Sequence, residues 1–330
     1  MFKRAKRSLV IFLIIALVAT LAAGCGEKKS ADPNQQQPQQ VFLNIGTGGT
    51  AGTYYPLGGA MAEILKENIP GVNATAQSTG ASAANINMLS KGELDFALVQ
   101  NDVSYYADQG IELFQEQGKV EGLKAMATLY PEVCQIITTA NTGLSSVADF
   151  KGKKIAVGAA GSGVEANARQ ILAAYGLTYE DINPQYLSFA EAAAGLKDGN
   201  IDAAFITAGT PTAAVLDLSA QNDVVVISID DAVADKLIAD FPFYTKFVIT
   251  ADVYGTEADV NTVAVKAMLV ATDKMSEEMA YNITKAIYEN LDKLKATHAV
   301  GELITLETAQ DGISIPMHPG SEKYFNEVKG

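Results

Sequence analysis

The pattern of apolar and polar positions describes the same α/β unit at two places in the chain. In the first copy, a short apolar strand over 43–45 precedes the glycine-rich segment 46–52 and a helix with apolar residues at every third or fourth position. In the second copy, a strand over 155–157 precedes the glycine-rich segment 158–163 and a helix with the same spacing. The pattern predicts two similar α/β units in the same order along the chain.

A further correspondence downstream supports the repeat. Segments 91–99 and 198–206 align without a gap, and each runs from a glycine turn into a short apolar strand. Open α/β sheets bind ligands at the carboxyl ends of their strands, where the glycine loops and helix starts lie. We therefore expect two α/β lobes with a ligand cleft between them.

The first 24 residues have the composition of a signal peptide. Four basic residues precede an apolar run over 9–18, and small residues lead to Cys25. This order is typical of a bacterial lipoprotein, so we expect cleavage before Cys25 and a lipid on that cysteine; an ordinary signal peptide or an uncleaved anchor is the alternative. Residues 25–40, rich in Gln and Pro, predict a flexible tether that holds an extracytoplasmic body at the membrane surface.

Charge and cysteine content narrow the class of partner. The net charge of −14 argues against binding to nucleic acid. Arg169 is the only arginine after the signal peptide, and its spacing from Glu165 favours an i,i+4 ion pair over a clamp on a ligand carboxylate. Cys25 and Cys134 are the only cysteines, so lipidation of Cys25 leaves no pair for an internal disulfide.

The sequence offers little for enzyme chemistry. His298 and His318 are the only histidines and have no partners at metal-ligand spacing, so neither a zinc site nor a Ser–His pair is expected. Segment 46–51 meets the glycine pattern of dinucleotide-binding sites, but Gln77 stands where the acidic residue for the ribose should follow. We expect a protein that is not an enzyme and holds no metal or cofactor.

The glycine-rich helix starts predict an anion-binding site. Their free backbone N–H groups and the positive end of the helix dipole hold an anion without a cationic side chain. Ser162 to Glu165 is also a capping-box pattern, so Glu165 either closes its own helix or receives a ligand ammonium group. We expect Tyr54 to cover the ligand. The predicted ligand-binding residues are Thr50, Gly52, Thr53, Tyr54, Ser78, Thr79, Gln100, Gly161, Ser162, Gly163, Glu165, Thr210 and Pro211.

Five ordered motifs resemble the TAXI-type solute receptors of tripartite ATP-independent periplasmic (TRAP) transporters. The resemblance covers the body of the chain from residue 41 onward. The motifs are IGTGGTAGTYYPL (45–57), QSTGASAAN (77–85), ALVQNDV (97–103), GAAGSGVEA (158–166) and FPFYTKFVI (241–249).

This resemblance implies a type II periplasmic-binding-protein fold, an α/β fold with two lobes joined by crossing strands. Lobe 1 would comprise 41–134 and 248–330, lobe 2 would comprise 135–247, and the crossings would lie near 133–139 and 247–250. The resemblance also implies a receptor that captures a small carboxylate or amino acid, such as glutamate or glutamine, and delivers it to the TRAP membrane permease subunits. An extracytoplasmic sensor that presents its ligand to a membrane kinase is the alternative.

Overall fold

The computed structural model describes residues 40–329. The predicted signal peptide, Cys25 and the tether up to residue 39 lie outside the described residues and stay predictions. Across 40–329, every helix is too short or too polar to cross a membrane.

The first half of the fold alternates strands and helices, and β1 is its central strand. Parallel pairing places β1 between β2 and β3. The elements are β1 (Val41–Gly46), α1 (Tyr54–Asn68), β2 (Val72–Gln77), α2 (Ser82–Lys91), β3 (Phe96–Gln100) and α3 (Asn101–Gln109).

The second half repeats this arrangement, because β5 lies in parallel between β6 and β7 as β1 lies between β2 and β3. The predicted repeat of strand, glycine-rich loop and helix is therefore confirmed. The elements are β5 (Lys154–Ala156), α4 (Gly163–Ala174), β6 (Asn183–Gln185), α5 (Phe189–Lys197), β7 (Ala203–Ala208), α6 (Ala213–Ser219), β8 (Val224–Ile227), α7 (Asp231–Asp240) and β9 (Thr245–Ile249).

Two long antiparallel strands join the halves, β4 (Leu123–Thr139) and β10 (Val260–Thr272). β10 pairs with β3 and β4 pairs with β7, which gives the sheet order β2-β1-β3-β10-β4-β7-β5-β6. The expected crossing at 133–139 lies within β4. The expected crossing at 247–250 is wrong, because 245–249 forms β9, a short strand that only pairs with the start of β10. Five residues are too few to reach both halves, whereas the 13 residues of β10 do so.

Helices cover both faces of the sheet in each half. In the first half, α1 packs on one face and α2 with α3 on the other. In the second half, α4 and α7 share one apolar cluster and α5 with α6 share another. The remaining helices are α8 (Ala251–Tyr254), α9 (Glu277–Tyr288), α10 (Leu291–Thr297) and α11 (Pro319–Lys329), and the last three pack in the cluster of α1. The lobe boundaries themselves stay a prediction.

Candidate functional site

A cavity lies between the glycine-rich segments of the two halves. It encloses about 600 Å³ of empty space, a volume that includes the part open to solvent. Seven of the residues predicted from the sequence form part of its wall, and their contact with a ligand stays a prediction. They are Gly52, Thr53, Tyr54, Thr79, Gln100, Ser162 and Gly163.

Six predicted residues lie outside the cavity wall, and four of them are Thr50, Ser78, Thr210 and Pro211. Thr50 is exposed on the first glycine-rich segment. Ser78 is turned toward the backbone, where its hydroxyl donates to the Gly48 carbonyl at 3.0 Å. Thr210 and Pro211 follow β7 but do not reach the wall. The loops that contain these residues border the cavity, but these side chains do not line it.

Gly161 also lies outside the cavity wall, and its carbonyl group contacts the start of α2. It accepts hydrogen bonds from the N–H groups of Ala83 at 3.1 Å and Ala84 at 3.2 Å. These are first-turn N–H groups of α2, which lack partners inside the helix. The start of α2 in the first half is therefore capped by the second half, and this leaves the starts of α1 and α4 to face a ligand.

Glu165 is occupied by neighbouring side chains. Its Oε1 lies 3.5 Å from Nε of Arg169, which confirms the predicted i,i+4 pair, and the Tyr179 hydroxyl donates to the same oxygen at 2.8 Å. Arg169 also donates from Nη1 to Glu112 at 2.8 Å. Neither Glu165 nor Arg169 lines the cavity. Of the capping box predicted for Ser162 and Glu165, the structure shows one half, because Ser162 accepts the Glu165 N–H while the Glu165 carboxylate pairs with Arg169.

The starts of α1 and α4 provide the donors of the site. α1 begins without a side-chain cap, so the N–H groups of Tyr54 and Tyr55 have no partner inside the helix, whereas Pro56 at the third position has no N–H. At α4 the Ser162 hydroxyl accepts only the Glu165 N–H, at 3.2 Å. Gly163 packs so closely on Gln100 that a Cβ at this position would lie 1.8 Å from Gln100 Oε1. A larger residue at this position would therefore have to displace the Gln100 amide group.

Glu132 was not anticipated from the sequence. It lies on β4, is 2% exposed and lines the cavity, and its Oε2 accepts a hydrogen bond from the Tyr54 hydroxyl at 2.7 Å. Burial raises the pKa of Glu132 to about 8, and the hydrogen bond from Tyr54 opposes this rise. An acidic residue inside an otherwise apolar strand was the available signal, since β4 contains only one other charged residue, Lys124.

Gln100 closes the cavity at the end of β3. Its backbone N–H donates to the Ser82 hydroxyl at 3.1 Å. Its Oε1 is buried and has no hydrogen-bond partner among residues 40–329. An unpaired buried acceptor costs on the order of 1–3 kcal/mol, so this atom is placed to accept from a bound molecule.

Phe189 is the aromatic ring that the second half contributes to the wall. It begins α5 after the Ser188 cap, and a Cβ added at Gly52 would lie 3.3 Å from its ring. Tyr54, expected to cover the ligand, is buried and tied to Glu132. In the part of the chain that the structure describes, the cavity wall contains no Lys, Arg or His. An anion would therefore be held by backbone N–H groups.

A model of the NMT1-like family matches residues 45–329. The chain belongs to the NMT1-like family. Solved structures with a similar fold include the alkanesulfonate-binding protein SsuA from Xanthomonas axonopodis pv. citri bound to MOPS, with 16% identity, a TM-score of 0.50 and coverage of 88% of this chain and 91% of that chain. Another is PhnD1 from Prochlorococcus marinus in complex with methylphosphonate, with 11% identity, a TM-score of 0.51 and coverage of 78% and 91%.

At these identities the similarity concerns the fold. It confirms the expected α/β fold of the periplasmic-binding-protein type for this member of the NMT1-like family. SsuA is described as an alkanesulfonate-binding protein, and PhnD1 is described in complex with methylphosphonate.

Proposed function

We propose that this NMT1-like protein is an extracytoplasmic solute-binding receptor that encloses a small carboxylate or amino acid, such as glutamate or glutamine. The observation that carries the proposal is the cavity between the halves, onto which helix starts from both halves open. Helix starts bind anions through unpaired N–H groups and the helix dipole. The ligand is bound and released without chemical change.

Contacts across the cavity rim support a mechanism of closure. The Thr53 hydroxyl of the first half donates to the Gly209 carbonyl of the second at 3.2 Å, and the Ala214 N–H donates to the Ala51 carbonyl at 3.3 Å. We propose that lobes 41–134 with 248–330, and 135–247, close on the ligand by bending of β4 and β10. The ligand favours the closed form only by its higher affinity for that form.

A sulfonate or phosphonate is the second candidate ligand, because SsuA and PhnD1 share the fold and are described with MOPS and methylphosphonate. The cavity wall favours the carboxylate instead. The wall formed by the described residues lacks a cationic side chain to balance a second negative charge on the ligand. A doubly charged phosphonate would therefore bind most weakly.

The proposal includes delivery to a membrane permease. The five sequence motifs favour the TAXI type and a TRAP permease, with Cys25 lipidated so that the receptor stays at the membrane surface. An ABC-type permease fits the fold of SsuA and PhnD1 equally well. The genes next to this one separate these possibilities. A gene for a TRAP permease would support the TRAP system, a gene for an ATP-binding subunit would support an ABC system, and a gene for a histidine kinase would support the sensor alternative.

Calorimetric titration tests the ligand class. We expect L-glutamate, L-glutamine or a related small carboxylate to bind one molecule per chain, and methylphosphonate and MOPS to bind much more weakly. Tight binding of methylphosphonate or MOPS, with no binding of any carboxylate, would contradict the proposal.

A further inference from the structure

Two buried side chains of the cavity wall offer hydrogen-bond acceptors without a cation beside them. Glu132 and Gln100 are each 2% exposed. No Lys or Arg among residues 40–329 forms an ion pair with Glu132, and Gln100 Oε1 has no partner in the same range. Buried acceptors of this kind are normally matched by donors. Glu132 already accepts the Tyr54 hydroxyl but has no charge partner, so a bound molecule that brings a cationic donor would supply that partner and a donor for Gln100 Oε1.

Tyr54 connects the start of α1, where the donors lie, to the acceptor Glu132. Its backbone begins α1, where the N–H groups of Tyr54 and Tyr55 have no partner inside the helix, and its hydroxyl donates to Glu132 Oε2 at 2.7 Å. The length of one tyrosine side chain therefore separates the N–H groups at the start of α1 from the Glu132 carboxyl group. A ligand that carries both an anionic and a cationic group matches this arrangement, whereas a ligand with anionic groups alone matches only one end.

We propose that Glu132 and Gln100 form a subsite for an ammonium group, so that the receptor takes zwitterionic amines and rejects carboxylates that lack the amine. The inference rests on the proposed receptor function and names the residues that set its ligand class. Glu165, the residue considered for this role on sequence grounds, is engaged by Arg169 instead.

Binding at this subsite moves a proton. Burial raises the pKa of Glu132 to about 8, so its carboxyl group holds a proton at neutral pH in the empty receptor. A ligand ammonium group keeps its own protons and binds the carboxylate, so the Glu132 proton passes to the buffer as the ligand enters. Affinity should therefore rise with pH up to the pKa of Glu132 and level off above it.

Other titratable groups face Glu132, and they are separable from it. Burial raises the pKa values of Tyr54, Tyr130 and Cys134, which keep their protons near neutral pH. Asp102 is the exception, because burial raises its pKa to about 7. Asp102 does not line the cavity, so an Asp102→Asn variant distinguishes its contribution from that of Glu132.

Matched ligands test the subsite by calorimetry. Each of the twenty L-amino acids is paired with the carboxylic acid that lacks only its amine, for example L-glutamate with glutarate. We expect at least one amino acid to bind and its amine-free partner to bind roughly ten- to a hundredfold more weakly, as a lost charged hydrogen bond implies.

Variants test the residue. Glu132→Gln should weaken binding of that amino acid by roughly the same factor. Glu67→Gln is the control. It removes an exposed carboxylate of α1 that pairs with Lys293, and it should leave affinity unchanged. Titration of the wild type in buffers of different ionisation enthalpy should show proton release near pH 7. Glu132→Gln should abolish this release and Asp102→Asn should retain it.

The outcomes distinguish this inference from the receptor function. If an amine-free partner binds as tightly as its amino acid, or folded Glu132→Gln keeps full affinity, the subsite is wrong and the receptor function stands. If Glu132→Gln lacks a cooperative unfolding transition, its affinity cannot be interpreted and the proton release of the wild type becomes the test. Absence of proton release by the wild type would then overturn the subsite. If no compound of either class binds, both the subsite and the proposed ligand class fall.

Discussion

Replacing Asp102 with asparagine should stabilise the protein at mildly alkaline pH and change it little at acidic pH. Asp102 is completely buried at the start of α3, and Asn167 of α4 donates from Nδ2 to its Oδ2 at 3.0 Å. Asp102 Oδ1 and Asn167 Oδ1 are both buried acceptors without partners in the described range. A proton on Asp102 Oδ1 would supply a donor to this group of acceptors, and an asparagine amide supplies the same donor permanently.

The magnitude follows from the pKa of Asp102. Burial raises it to about 7, against opposing backbone hydrogen bonds, whereas an unfolded aspartate has a pKa of about 4. The folded protein therefore keeps a proton that the unfolded chain releases, and stability falls as pH rises from about 4 to about 7. This shift corresponds to at most roughly 4 kcal/mol, and the variant loses about 0.3–1 kcal/mol of charge interaction with the start of α3. We expect a net gain on the order of 1–3 kcal/mol at about pH 8.

Urea unfolding of the ligand-free protein at about pH 5 and about pH 8 measures this difference. The slope of the transition should match that of the wild type, so that a change of midpoint reports stability. Asp108→Asn is the control on the same helix, where the half-buried side chain bonds only to Gln109, and should stay within about 0.5 kcal/mol of the wild type. If Asp102→Asn is less stable than the wild type at the higher pH, then Asp102 stabilises the fold as a carboxylate and the reasoning fails.

Three further predictions concern the site and its membrane attachment. Gly163→Ala should weaken ligand binding by roughly tenfold or more because its Cβ displaces Gln100. Gly59→Ala is the control, in the interior of α1 where a Cβ meets open space, and it should keep affinity and gain up to about 1 kcal/mol of stability. Equal calorimetric affinity of both variants would exclude this packing argument. Saturating ligand should reduce the radius of gyration in small-angle scattering, and a constant radius would rule out closure. Cys25→Ala should release the protein from membranes, which fractionation of cells checks; a processed variant that still sediments with membranes would refute the lipoprotein assignment.

The sequence predicted the parts of the fold that depend on local periodicity. The strand, glycine-rich loop and helix of each half are encoded in consecutive residues, so the repeat and the starts of α1 and α4 followed from spacing. The second crossing strand did not, because two apolar strands, β9 and β10, follow each other closely. Which of them pairs with both halves depends on sheet order, which spacing does not determine.

The site was predicted in part for the same reason. Gly52, Tyr54 and Gly163 are close to helix starts and reach the cavity. Glu132 and Phe189 reach it only because β4 crosses between the halves and α5 begins beside the first glycine-rich loop. These are long-range placements. An acidic residue in an apolar strand marks Glu132 as unusual without placing it in the cavity, and a lone phenylalanine after a helix cap gives no signal.

Native mass spectrometry tests the central claim most directly. The receptor is purified without denaturation, incubated with a mixture of the twenty L-amino acids, and compared with Gly163→Leu, in which a large side chain is directed at Gln100 in the cavity wall. We expect one bound amino acid per wild-type chain and no bound amino acid on the folded variant. No bound amino acid on the wild type, or equal occupancy of both proteins, would contradict a receptor that encloses an amino acid in this cavity.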